Sequence, residues 1–120
     1  MDTKTLPRLY ERDIDVLLQE ELIFNQTLRA VFATALSLND QLRVHQCRLS
    51  VVDVTGETDL IAEFSSGTAK GKILVENKID AAFQPLQPQR YRDRVETIKQ
   101  QGYSCYCILI APSITVAFLL

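Results

Sequence analysis

The spacing of apolar side chains divides the chain into a helical first third and a strand-rich remainder. Over residues 11–36 apolar side chains recur at three- and four-residue steps, which predicts one amphipathic helix or a pair of helices (Ile14, Leu17, Leu18, Leu22, Leu28, Val31, Phe32). Alternation and turn residues then predict strands over 48–54, 59–64 and 72–79. Pro88 suits the first turn of a helix that ends at about residue 101 before Gly102, and a dense apolar run predicts a fourth strand over 103–110. Because the second helix lies between the third and fourth strands, it acts as a crossover, and the order predicts an α/β domain with a mixed sheet flanked by helices.

Length and the ends of the chain bear on domain organisation. The chain has 120 residues, so one domain over 1–120 is expected. The first residues have no signal-peptide core and no stretch reaches ~20 apolar residues, which predicts a cytoplasmic protein without a membrane partner. The ending 114–120 is apolar and uncharged. It resembles a strand stopped in mid-course, for which three outcomes stay open: pairing beside 103–110, burial against a second copy or another partner, or continuation in further sequence.

Charge is unevenly distributed although its sum is small. The formal net charge is −2, with six Lys/Arg and eleven Asp/Glu in residues 1–67 but seven Lys/Arg and four Asp/Glu in residues 68–120. A basic second half is compatible with a nucleic-acid partner, whose binding depends on neutralising phosphates. Cys47, Cys105 and Cys107 lack zinc-site spacing and are expected to pack as small apolar groups, and His45 precedes the first predicted strand and is not expected to be a ligand.

Three charged residues belong to the second and third predicted strands. Glu76 and Lys78 project from one face of an otherwise apolar strand, because alternate side chains of a strand share a face. With a hairpin loop over 65–72 and Phe64 opposite Ile73, Asp59 lies across from Lys78 and one diagonal step from Glu76. Two carboxylates and an ammonium this close suit a divalent cation and an attacking water better than they suit a core.

This arrangement resembles the PD-(D/E)XK nuclease superfamily, which has an Asp at the start of the second core strand and a (D/E)-x-K on the third. Gln87 and Tyr91 are similar to the Gln-x-x-x-Tyr of its RecB-like members. Thr58 stands where the family name has Pro. The resemblance runs from about residue 11 to residue 112 and implies a restriction-endonuclease-like αβββαβ core.

The superfamily also has a Glu on its first helix. Glu21 lies within the apolar stripe of the predicted helix, four residues after Leu17, and is the first candidate for that position. Glu11 is the alternative. Asp15 and Glu20 are expected to face solvent.

The resemblance implies a magnesium-dependent nuclease acting on nucleic acid, with DNA as the expected substrate. Asp59, Glu76 and the backbone carbonyl of Asn77 would bind Mg²⁺, for which Mn²⁺ should substitute. Lys78 would orient the attacking water or stabilise the developing charge. Gln87 and Tyr91 would position the nucleic-acid backbone or support the metal shell. Arg90, Arg92 and Arg94 are candidates for contacts with phosphates.

A second hypothesis keeps the fold without the chemistry. A fold does not fix a function, and a domain this small has few residues for substrate recognition. The chain would then be an inactive nuclease-fold module for binding or assembly in a larger complex. The apolar tail 114–120 leaves a homodimer open under either hypothesis.

Overall fold

A single mixed sheet organises the molecule. The computed structural model describes residues 6–38, 41–53, 56–77, 87–110 and 115–118. Along them lie helices α1 (Leu6–Phe24) and α2 (Gln26–Ala35), strands β1 (Arg43–Asp53), β2 (Gly56–Ser66) and β3 (Ala69–Asn77), helix α3 (Gln87–Gln100), and strands β4 (Ser104–Ile110) and β5 (Thr115–Phe118). The strands are ordered β1-β2-β3-β4-β5; β3 and β4 are parallel and every other neighbouring pair is antiparallel. The predicted α/β class with a mixed sheet and a crossover helix is confirmed.

The helical first third is a pair of helices that separate at Asn25. This residue has extended backbone angles (φ −105°, ψ 107°), and its side-chain oxygen accepts a hydrogen bond from the Leu28 amide at 3.1 Å. An Asn in this conformation satisfies an amide at a helix start that has no partner within the helix. Of the two arrangements that the sequence allows, the structure therefore has the pair.

Helices cover both faces of the sheet. Alternate strand residues point to opposite faces, so neighbours such as Ile61 and Ala62 belong to different cores. The core under α1 and α2 contains Leu22, Phe32, Leu36, Leu60, Phe64, Ile73, Val75 and Ile108. The core under α3 contains Ile61, Leu74, Tyr91, Val95, Ile98, Cys105, Cys107 and Leu109. The cysteines pack among apolar side chains, as predicted.

The β2–β3 hairpin has a tighter turn than the sequence analysis predicts. Only Gly67 and Thr68 separate the paired residues Ser66 and Ala69, and Gly67 has a φ of 60°, which suits the first central position of a type II′ turn. The predicted pairing of Phe64 with Ile73 is wrong, because Phe64 lies opposite Gly71. The register differs by two residues, and an even shift keeps every side chain on its predicted face.

Strand β1 begins earlier than predicted and has two irregularities. His45 lies within it, not before it, and is the extra residue of a β-bulge between the pairs of Val44 and Gln46. Ser50 has a φ of 51°. The strand changes face there: Leu49 packs with the core under α2, whereas Val51 packs with the core under α3.

Strand β5 settles the position of part of the apolar tail. Residues Thr115–Phe118 pair antiparallel with β4, with Thr115 opposite Ile110. For these residues the structure gives the first of the three expected outcomes, completion of the chain's own sheet. In the described residues, no helix is both long and apolar enough to cross a membrane.

Candidate functional site

Two consecutive residues at the end of β3 carry buried polar side chains to opposite sides of the sheet. Glu76 and Asn77 are only 5% and 3% exposed. Glu76 points toward α3, whose Arg94 it contacts, and Asn77 points toward α1, whose Asp15 it contacts. The end of this strand therefore joins two separate polar clusters.

The cluster on the α3 side is built around the Glu76 carboxylate. Arg94 Nη1 lies 3.3 Å from Glu76 Oε1 and also donates to Thr58 Oγ1 at 3.2 Å. Glu76, Arg94 and Thr58 are all buried. Thr58 pairs with Val51, which also packs on the α3 side. Both charged groups have lost their hydration, so this ion pair is favourable only while the surrounding structure keeps the two groups in contact.

Gly56 gives the Arg94 guanidinium its space. A Cβ atom built on Gly56 would meet Arg94 Nη2 at 2.3 Å, well inside contact distance. The φ of Gly56 is 125°, which side-chain-bearing residues rarely adopt. The start of β2 thus requires glycine for both conformation and close approach.

Asp59 lies beside Glu76 on the neighbouring strand. The described pairing of β2 with β3 ends at Leu60 and Val75, so Asp59 is the residue just before that pair on β2 and Glu76 is the residue just after it on β3. Asp59 Oδ2 accepts a hydrogen bond from the Asn77 amide at 2.8 Å, and the residue is half-buried. Both carboxylates lie close enough to Tyr91 to raise its pKa, and solvent reaches this position at Asp59.

Tyr91 completes the cluster from α3. It is 4% exposed, and its hydroxyl has no hydrogen-bond partner among the described residues. Burial raises the pKa of the phenol well above its usual value, and the nearby Glu76 and Asp59 carboxylates add to that rise. The phenol therefore stays protonated at neutral pH and has a hydrogen available for an acceptor.

The cluster on the α1 side is a hydrogen bond between Asp15 and Asn77. Asn77 Nδ2 donates to Asp15 Oδ1 at 3.3 Å, and Asp15 is 8% exposed. The expectation that Asp15 faces solvent is therefore wrong. Its position three and seven residues before Leu18 and Leu22 puts it on the buried face of α1.

Glu21, the first candidate for the helix-one acid, does not join either cluster. Its Oε2 accepts a hydrogen bond from Asn25 Nδ2 at 2.6 Å, at the junction with α2. It lies six residues after Asp15, which corresponds to about 9 Å along the axis and a different face of the helix. The alternative, Glu11, has a side chain outside the described part of the structure.

The basic residues of α3 do not form the single stripe that the sequence suggests. Arg90 and Arg92 are exposed, whereas Arg94 is 5% exposed and paired with Glu76. Arg94 as a substrate-phosphate contact is therefore wrong. Helical periodicity predicts that Arg94 is buried, because it shares a face of α3 with the core residues Tyr91, Val95 and Ile98. Lys78 lies outside the described residues, and so does the side chain of Gln87.

Asp59 and Glu76 are the described residues that could hold a cation. Magnesium is commonly bound by one or two carboxylates together with waters and phosphate oxygens, and this pair meets that need. The phenol of Tyr91 nearby offers a further hydrogen bond. Within the described ranges no group of three or more His, Cys, Asp and Glu side chains is placed to share a metal ion. A site here would leave several coordination positions to water and substrate.

Comparisons with known proteins add no assignment. No protein-family model matches the sequence, and no curated protein or solved structure matches the chain. What the molecule does has to be argued from its own residues.

Proposed function

We propose that the chain is a metal-dependent nuclease that hydrolyses phosphodiester bonds, with DNA as the expected substrate. One observation carries the proposal: Asp59 contacts the Asn77 amide, one residue after the buried Glu76, and both carboxylates lie near a buried Tyr91 hydroxyl that has no partner among the described residues. The element order from α2 onward, one helix, three strands, a helix and a strand, supports a restriction-endonuclease-like core. The cytoplasmic location remains a prediction.

The chemistry assigned to the site needs only what these side chains can supply. A bound Mg²⁺ would lower the pKa of a water and offset charge on the phosphorus centre. Asp59 and Glu76 would hold the cation through carboxylate oxygens, and the Asn77 carbonyl is the further ligand that the resemblance implies. The buried Tyr91 phenol would support the groups that hold the cation through a hydrogen bond, as the resemblance implies.

The remaining roles follow from exposure and from the sequence pattern. Lys78 is expected to orient the attacking water, as the Glu-x-Lys pattern implies. Arg90 and Arg92 are exposed on the helix that carries Tyr91, which suits contacts with the phosphates of a strand in the site. Gln87 keeps its expected role near the substrate backbone.

Cleavage by a matched pair of variants tests the proposal. Asp59→Asn removes a charge from the site while keeping an acceptor for the Asn77 amide, and Glu57→Gln removes a charge from an exposed position two residues away on the same strand. We expect Mg²⁺- or Mn²⁺-dependent cleavage of single- and double-stranded DNA by the parent chain and by Glu57→Gln, and none by Asp59→Asn. RNA substrates run in parallel identify the preferred nucleic acid. Metal-independent cleavage, or equal cleavage by all three proteins, would exclude the mechanism.

The Glu76–Arg94 ion pair favours a second function, an inactive nuclease-fold module. A guanidinium 3.3 Å from Glu76 already compensates the carboxylate that a cation would need. Calorimetric titration with Mn²⁺ separates the two functions. Saturable binding that Asp59→Asn abolishes supports the nuclease, whereas no binding at millimolar Mn²⁺ together with no cleavage supports the module.

A further inference from the structure

A second polar region lies at the opposite end of the sheet from Asp59 and Glu76. A pocket of 620 Å³ opens between the α1–α2 junction and the start of β1. Ser65, which contacts the pocket residue His45, lies six residues after Asp59 on β2, or about 20 Å along the strand. The volume falls within the ~300–1,000 Å³ usual for small-ligand sites. This pocket is independent of the proposed nuclease site.

Arg29 provides a fixed cation on one wall of the pocket. Its Nη1 donates to the backbone carbonyls of Leu22 at 3.2 Å and Ile23 at 2.7 Å, near the end of α1. These bonds hold a half-buried guanidinium in place. Its other N–H groups have no hydrogen-bond partner in the described residues, and no described carboxylate pairs with it. A guanidinium held in this way has donors left for an acceptor with two or more oxygens.

Strand β1 adds Arg43 and His45 on the facing wall. Arg43 is exposed and forms no ion pair with a described carboxylate. His45 is the extra residue of the β-bulge, a device that re-aims a side chain, and its Nε2 lies 2.7 Å from Ser65 Oγ. Two arginines and a histidine therefore surround one concavity.

The rest of the lining indicates the kind of ligand. Gln26 and Gln41 contribute carboxamides, and Ile23, Leu42 and Val44 form the apolar part of the wall. Among the described lining residues no carboxylate compensates the arginines, and the only aromatic ring is the His45 imidazole. Oxygen-rich anions fit this composition better than bases or cations do.

We propose that this pocket binds a phosphate group, with Arg29 and Arg43 as its main charged donors. The phosphate can come from a small phosphorylated ligand or from the backbone of a nucleic-acid strand. Both sources present the same tetrahedral anion to the same arginines. The site is separate from the cluster at Asp59, so binding here needs no divalent metal.

Titration with inorganic pyrophosphate in metal-free, low-salt buffer tests the proposal, with amide chemical shifts or heat as the signal. Arg43→Gln should lower the affinity for pyrophosphate about tenfold or more, because a hydrogen bond to a charged group contributes ~1.5–3 kcal/mol to binding. Arg29→Lys keeps the positive charge but loses the planar set of guanidinium donors, and it should lower the affinity for pyrophosphate by a similar factor. Arg48→Gln is the matched control, because Arg48 is an exposed arginine on β1 outside the pocket lining. It should retain the parent affinity within about twofold.

A competition arm identifies the source of the phosphate. Pyrophosphate that displaces a labelled single-stranded oligonucleotide, with both ligands weakened by Arg43→Gln, assigns the pocket to a nucleic-acid backbone. Pyrophosphate binding without displacement assigns it to a small phosphorylated ligand. No pyrophosphate binding at millimolar concentration, or equal loss in Arg48→Gln, would overturn the proposal. Asp59→Asn should leave this binding unchanged, so failure here is distinct from failure of the nuclease proposal.

Discussion

Glu76 and Asn77 are adjacent in sequence, equally buried, and yet belong to clusters of different kinds. Asn77 meets Asp15 in a hydrogen bond between an amide donor and a carboxylate acceptor. Glu76 forms an ion pair with Arg94, and the same guanidinium donates to the Thr58 hydroxyl. The nearby Tyr91 hydroxyl has no hydrogen-bond partner among the described residues. The first cluster ties α1 to the sheet. The second has more polar groups than a tie between α3 and the sheet requires.

The difference shows how a buried polar cluster can be assessed. A structural cluster is expected to satisfy its own donors and acceptors, because each one left without a partner costs free energy. A cluster that leaves a hydrogen-bond donor without a partner, beside a solvent-accessible carboxylate, is suited to bind a ligand. By this criterion the α3 side is the candidate site, and the α1 side is part of the framework.

The largest effect is expected from Arg94→Met, which breaks the ion pair on the α3 side. Glu76 would be left as a buried charge without its guanidinium, which should lower the free energy of unfolding by about 3–5 kcal/mol. Urea unfolding at pH 7 measures it. Arg92→Met, an exposed change on the same helix, is the control, and the double variant Arg94→Met/Glu76→Met should recover much of the loss. If Arg94→Met and Arg92→Met have the same free energy of unfolding, the ion pair between Glu76 and Arg94 contributes nothing to stability.

A smaller effect is expected on the α1 side. Asp15→Ala removes an acceptor from Asn77 Nδ2 and should lower the free energy of unfolding by about 1–3 kcal/mol. Asp13→Ala, an exposed change two residues earlier, should have little effect. If the α1 side is only framework, cleavage per folded molecule stays at the parent level in both. A selective loss of cleavage in Asp15→Ala would place Asp15 in the site and erase the distinction.

Tyr91→Phe should separate stability from activity. Removing a buried hydroxyl that has no described partner should leave the free energy of unfolding unchanged or raise it by about 1 kcal/mol. Cleavage should fall roughly tenfold to a hundredfold if the phenol supports the groups that hold the cation. Tyr103→Phe, at a more exposed ring, controls for the substitution itself. A clear loss of stability in Tyr91→Phe would indicate a structural partner and weaken the assignment.

The smallest effect concerns pH. Burial raises the pKa of the Cys107 thiol from 9.0 to about 12, with the Glu76 carboxylate as the next contribution. Because the folded pKa lies above the unfolded one, this thiol does not affect the pH dependence of stability well below pH 9, and stability falls as the pH rises from there toward the folded value. At pH 9.5 the loss from this thiol should be less than about 1 kcal/mol. Cys107→Ala should remove that part of the difference in unfolding free energy between pH 7 and pH 9.5; an unchanged difference would contradict the shift.

The fold follows largely from local patterns in the sequence. Three- and four-residue spacing predicts the helical first third, Pro88 and Gly102 bound α3, and alternation or a dense apolar run predicts β1 to β4. The register of the β2–β3 hairpin is wrong by two residues because Gly67 allows a two-residue turn that the Gly/Ser/Lys composition of the loop conceals. The even shift preserved the faces over the paired residues from Leu60 to Ser66.

The site is less predictable because its remaining members are set by tertiary contacts. Charge alone assigned Arg94 to the surface, although its helical position places it with Tyr91 and Val95 in the core. Thr58 contacts Arg94 where the strand changes side near Ser50, and a positive φ at a serine has no clear signature in sequence. The close approach of Gly56 to the guanidinium is likewise visible only in three dimensions.

The β-bulge at His45 has a consequence for how the molecule behaves at high concentration. Strand β1 forms one edge of the sheet, and a regular edge of eleven residues presents peptide groups on which another chain can add a strand. The bulge interrupts that row near its start, and the exposed Arg43 and Arg48 repel a second basic edge. The same local distortion that turns His45 toward the pocket therefore also protects the protein against edge-to-edge aggregation.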